Sequence, residues 1–244
     1  MNMAFRKVWR DLWRNKSRTS MVIMSISVGV MSVGMVVSGN TLVIGRMAES
    51  HVQSNPAHAL IWLRGVVDED MSRSLERLPG VDGIEGHSDS NIHWKASLSD
   101  EWQDGRIIAY TDLERQTYDR MTLLGGTWPE KKRIVVEAAH IDSYDAPGIG
   151  GTVYFEINEH PRAYTVAGTM RNPWEFPKPF SQNAAFYVTQ DDFTRIAGYY
   201  GFNVLQMTVP EYSEANVQQA IDDINDKLEP QGASVAYFEI LHPE

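Results

Sequence analysis

Glu137 and His140 stand three residues apart, with Asp142 close behind. These side-chain types ligate divalent metals, and on a helix the i, i+3 pair shares one face. A helix is expected just after the apolar strand at 133–136. No second Glu-x-x-His copy completes a ligand set, so no metal site is assigned. Gly148, Gly150 and Gly151 have the density of a phosphate loop. No lysine follows them and the next run reads as a strand, which makes the segment a turn. The seven histidines are scattered, no Gly-x-Ser-x-Gly elbow occurs, and the chain has no cysteine. No catalytic, metal-ligating or cofactor-binding residue follows from these patterns, and an enzyme is not expected.

Residues 172–181 read NPWEFPKPFS. Prolines keep such a loop extended at low entropic cost, and aromatic side chains on a loop are typical interface anchors. Trp174, Phe176 and Phe180 are therefore candidate contacts for an extracytoplasmic protein partner or passenger. The alternative is a loop folded back onto its own β-rich neighbourhood.

The elements that would position these residues lie in a chain of 244 residues, 43% hydrophobic and 22% charged, enough for one large domain or two small ones. The net charge of −10 is unevenly placed. Arg6, Lys7, Arg10, Arg14, Lys16 and Arg18 precede position 19 against Asp11 alone, so the remainder is strongly acidic. An acidic body repels phosphate backbones, and nucleic acid is not an expected partner.

From Thr19 to Gly45 no residue is charged. At about 1.5 Å per residue a helix of that length exceeds the roughly 30 Å hydrocarbon core of a bilayer. Residues 19–45 are expected to form a transmembrane helix, and the basic residues before it place 1–18 in the cytoplasm. A cleaved signal peptide ending near Val36 and Ser38 is the competing possibility. Phe5, Trp9, Leu12 and Trp13 form an apolar stripe, with Arg6, Lys7, Arg10 and Arg14 mostly off it. That is an amphipathic helix suited to the inner lipid interface, or else a cytoplasmic extension of the span. Within the span Ser25, Gly29, Ser32 and Gly39 share one face, where small residues admit a neighbouring helix; both residue types are also simply common in membrane helices.

After the span, 46–244 is expected to be an extracytoplasmic α+β domain. Strand, helix and strand are read at 58–64, 68–78 and from 81, with Pro79 and Gly80 ending the helix. The same grammar returns as strand 184–188, helix 190–197, strand 203–209, helix 214–228 and strand 233–240. Between them, short β-rich runs at 107–111, 133–137, 152–156 and 162–169 suggest a small β-rich subdomain inserted at about 100–175.

The segment RDLWRNKSRTSMVIMSISVGVMSVGMV, beginning at Arg10, resembles the start of ABC transporter permeases of the MacB/FtsX type. LERLPGVDGIEG from Leu75, GGTWPEKKRIVVEAAHI from Gly125 and GIGGTVYFEINEHPRAYTVAGTM from Gly148 resemble the MacB-like periplasmic core domain of that class. The resemblance implies a bacterial inner-membrane permease component whose ATP is bound by a separate ATP-binding cassette subunit. It further implies a dimer of permease subunits and an outer domain that passes ATP-driven motion to a substrate or partner. The chain departs from the four-span pattern by ending at Glu244 without further spans, and it has no Walker-type motif. A single-pass anchored binding module without transport activity is the alternative function.

Overall fold

The computed structural model describes residues 16–17, 20–22, 24–32 and 55–242. The chain divides into two units, Met1–Glu49 and Ser50–Glu244. In the first, the described residues are helical and exposed, among them Met21, Val22, Met24, Ile26, Val28, Val30 and Met31. No helix among the described residues is long and apolar enough to cross a membrane. The rest of the span expected at 19–45, and the amphipathic segment before it, lie outside the described residues.

The second unit is mixed α+β. Its elements are β1 (Ala59–Val67), α1 (Glu69–Leu75), β2 (Gly83–Lys95), β3 (Gln103–Tyr110), β4 (Thr122–Gly126), β5 (Arg133–Glu137), α2 (Ala138–Tyr144), β6 (Thr152–Ile157), β7 (His160–Arg171), β8 (Ala184–Tyr187), α3 (Gln190–Ala197), β9 (Phe202–Thr208), α4 (Glu214–Leu228) and β10 (Ser234–Ile240). The strands run in the order β10-β1-β9-β2-β3-β8-β5-β7-β4, with β6 pairing both β2 and β7.

At one end, β10, β1, β9 and β2 pair antiparallel as a split β-α-β arrangement. Alternation in β1 sends Ala59, Ile61 and Leu63 to one face, where Leu205 and Met207 of β9 join them. Helix α4 covers that face with Val217, Ala220, Ile221, Ile224 and Leu228, which recur at helical spacing. Ser213 caps α4 by accepting from the Asn216 amide at 3.1 Å, and Asp68 caps α1 by accepting from Met71 at 2.8 Å. Helix α1 stops at Leu75, short of the expected 78, with Glu76 as its C-cap.

At the other end the sheet closes. β2 pairs β3, β3 pairs β8, β8 pairs β5, β5 pairs β7, β7 pairs β6, and β6 returns to β2 through Trp94↔Phe155 and Lys95↔Tyr154. Closure removes free edges from these six strands. Trp94, Ile107, Val136, Phe155, Tyr164 and Phe186 fill the barrel, and the Trp94 and Phe186 rings meet edge-on at 4.9 Å. The β-rich middle thus extends to β8, and it shares the long strand β2 with the β-α-β half. One sheet runs through both.

Candidate functional site

Strand alternation gives the sheet a second face, opposite α4. β2 places Glu85, His87 and Asp89 there, β9 places Val204 and Gln206, β1 places Leu60 and Trp62, and β3 places Arg106, Ile108 and Tyr110. The register holds these rows together: Leu60 faces Gln206 and Trp62 faces Val204, while His87 faces both Val204 and Tyr110. Two loops fold over this face. The loop between β3 and β4 is tied down by Glu85, whose carboxylate accepts from the Thr117 and Tyr118 amides at 2.9 and 3.0 Å. The loop after β7 is tied down by Arg106 and α2.

Between the loops lies a groove of about 370 Å³. Its polar floor includes His87, Asp89, Arg106, Asp119 and Gln206, and Trp62, Tyr110, Trp174 and Phe176 contribute aromatic surface. The His87 ring stacks on Tyr110 with centroids 4.6 Å apart. Burial pushes His87 down to about 4, with Asp89 opposing that shift, so its imidazole is neutral near pH 7. Burial would lower Arg106 as well, yet Asp89 and Glu175 overcome it and hold the guanidinium charged. Arg106 binds Asp89 through both Nε and Nη2 and reaches Glu175 at 3.1 Å. Gln206 Nε2 donates to Asp119 Oδ2 at 2.6 Å. His87 Nδ1 and Gln206 Oε1 are buried and have no hydrogen-bond partner among the described residues.

The loop named from its aromatics is divided by the structure. Trp174 and Phe176 are half-buried over the groove, whereas Phe180 is 81% exposed. The Trp174 amide donates to Asn172 Oδ1 at 2.9 Å. His140 accepts from the Ala185 amide through Nδ1 and donates from Nε2 to the Phe176 carbonyl, each at 3.0 Å. Tyr144 donates to the Ser181 carbonyl at 2.7 Å. Glu137 accepts from the amides of Ala139 at 3.2 Å and Asn172 at 2.7 Å, and burial pushes its carboxyl up to about 7. The Glu137 and His140 pair therefore fastens the loop to the barrel. Gly150, at φ +84, sits in the turn before β6, where Gly150 and Val166 are hydrogen-bonded.

Ser25, Gly29 and Ser32 lie on exposed helix, with Ser32 Oγ bonded to the Val28 carbonyl at 2.8 Å. A Cβ on Gly29 would meet nothing within 4 Å among the described residues. Phe5, Arg6, Lys7, Trp9, Arg10, Leu12, Trp13, Arg14 and Gly39 lie outside the described residues. A second cavity of about 500 Å³ lies beside Trp128 and Pro129, lined also by Asp112, Glu114 and Glu130.

Sequence reasoning missed the groove. Trp174 and Phe176 of its cover stand out in the sequence, but its floor leaves only the polar alternation Glu85, His87, Asp89 in β2, which by itself reads as a solvent-facing row.

No known family model matches the sequence, and no curated protein matches it. Among solved structures, the chain is similar to the extracellular domain of the noncanonic ABC-type transporter YknZ from Gram-positive bacteria, at TM-score 0.49 and 10% identity over 76% of this chain and 100% of that one. It is similar to the periplasmic region of MacB from Actinobacillus actinomycetemcomitans, at TM-score 0.49 and 11% identity over 79% and 92% of the two chains. A domain of a putative permease protein from Porphyromonas gingivalis follows at TM-score 0.46 and 12% identity, over 77% and 94%.

Proposed function

We propose that this chain is a membrane-anchored permease component of an ABC transporter of the MacB/FtsX class. Its α+β unit lies outside the bacterial inner membrane and transmits motion, driven by ATP on a separate cassette subunit, to a substrate or partner. The observation that carries this is the order of parts in one chain: a basic amphipathic start, a charge-free apolar run, then an independently cored α+β unit. The described helical residues in that run present apolar side chains outward, as lipid or a neighbouring helix requires. The continuous sheet and the long strand β2, common to the β-α-β half and the barrel, suit the unit to move as one body. The permease works as a dimer, with Ser25, Gly29, Ser32 and Gly39 on a helix-packing face.

The absence of cysteine makes the topology directly testable. Ser17→Cys and Ser99→Cys, each the sole thiol, are exposed to a membrane-impermeant maleimide in intact cells. Labelling at 99 alone, with 17 reached only after permeabilisation, is the expected result; labelling at 17 alone inverts the topology and overturns the proposal. Co-purification with an ATP-binding cassette subunit is expected for the permease, and its failure favours the anchored binding module, for which the groove is the specific argument.

A further inference from the structure

We propose that the groove on the open sheet face binds an organic ammonium ion, an amine carried on a small aromatic or apolar group. The inference holds whether the chain serves a transporter or is an anchored binding module.

Three independent features define the ligand. The first is the pair of buried atoms with open valence. Gln206 is 2% exposed and commits its amide nitrogen to Asp119, which leaves Oε1 as an acceptor lacking a donor among the described residues. His87 is 7% exposed, and its Nδ1 likewise has no partner. A neutral imidazole in the Nε2–H tautomer makes that atom a second acceptor. Buried acceptors are costly when unmet, so a bound group with several N–H donors recovers what the empty site forfeits.

The second feature is charge. Among the described residues, Asp89, Asp119, Glu175 and Glu239 line the groove against one cation, Arg106. That guanidinium is already engaged by Asp89 and Glu175. The remaining field is negative, which attracts a cation and turns away carboxylates and phosphates.

The third is the wall. Trp62, Tyr110, Trp174 and Phe176 offer aromatic surface to the same space, and a cation over such faces gains further attraction. About 370 Å³ accommodates a ligand of one ring and a short amine arm.

The test uses the full chain in detergent micelles near neutral pH, titrated with phenethylamine, 3-phenyl-1-propanol and 3-phenylpropionate and followed by calorimetry and tryptophan fluorescence. Saturable amine binding at least about tenfold tighter than the alcohol, with no binding of the carboxylate, is expected. Glu239→Lys, at an exposed position on β10, and Gln206→Met should each weaken the amine by about fivefold or more at unchanged circular dichroism. Phe180→Ala, outside the groove, should leave it unchanged. A phenylalanyl dipeptide amide with a free amino terminus and its acetylated form distinguish sources: binding of the free form alone identifies a peptide terminus as a ligand, and binding of phenethylamine alone identifies a small amine. Equal binding of amine and alcohol, equal binding of free and acetylated peptide, no saturation by about 20 mM, or indifference to both groove substitutions would overturn the proposal.

Discussion

Arg106 on β3 and Glu175 in the loop after β7 are 69 residues apart in sequence and joined at 3.1 Å. The same guanidinium grips Asp89 on β2, so one side chain ties two strands to the loop that roofs the groove.

Replacing Arg106 with Met leaves Asp89 and Glu175 partly buried without their cation. Breaking such a network from one side costs about 3–5 kcal/mol. Urea unfolding should show that loss, with a smaller one for Glu175→Gln, because Asp89 still holds the guanidinium. Equal losses in the two variants would contradict the strap.

Burial raises Glu137 from 4.5 to about 7, so the folded state holds its proton where the unfolded chain has released it. The stability this contributes is full below about 4.5 and lost as pH rises through about 7. Relative to Glu137→Gln, the wild-type melting temperature should decline across that window and run parallel above it. A flat difference from pH 4 to 8 would remove the effect.

His87 works with the opposite sign. Burial lowers it from 6.5 to about 4, so its contribution is full above about 6.5 and is lost as pH falls toward 4. His87→Phe, which keeps a ring against Tyr110, should flatten the acid side of the stability profile. Equally steep acid limbs in variant and wild type would show that His87 is not the group responsible.

A Cβ at Gly105 would lie 2.5 Å from Trp94 Cδ1, inside the barrel where the Trp94 indole also bonds the Asp104 carbonyl. Gly105→Val should destabilise by about 1–3 kcal/mol through overpacking, and Trp94→Ala by about 3–5 kcal/mol through the cavity left behind. Denaturant midpoints check both, and a neutral Gly105→Val would mean that the barrel wall yields there.

Gly29→Leu adds a side chain where no described residue stands within 4 Å. Helicity should be unchanged, and any loss of dimer on detergent gel filtration then reports packing against another helix. An intact dimer counts against the small-residue face.

Local physics was legible in the sequence to the residue in places. Helices α3 and α4 and strand β5 occupy the spans read from the sequence pattern; in the fold Thr189 and Ser213 cap the two helices by accepting from amides three residues on, and the buried positions of α4 recur at 3.6. Strand β3 begins earlier than the apolar run at 107 because Gln103 and Asp104 pair with β2. A hairpin partner satisfies their backbone whatever their polarity.

The sequence by itself determined the charge asymmetry, the apolar run, the absence of thiol chemistry and, β4 apart, the order of strands and helices, all properties of neighbouring residues. Tertiary structure alone decided that β6 closes on β2 into a barrel and that Glu137 and His140 fasten a loop. It also decided that His87, Gln206 and Arg106 share one groove. Pairing register and loop cover join residues dozens of positions apart, and they convert a polar row that alternation assigns to solvent into a buried floor.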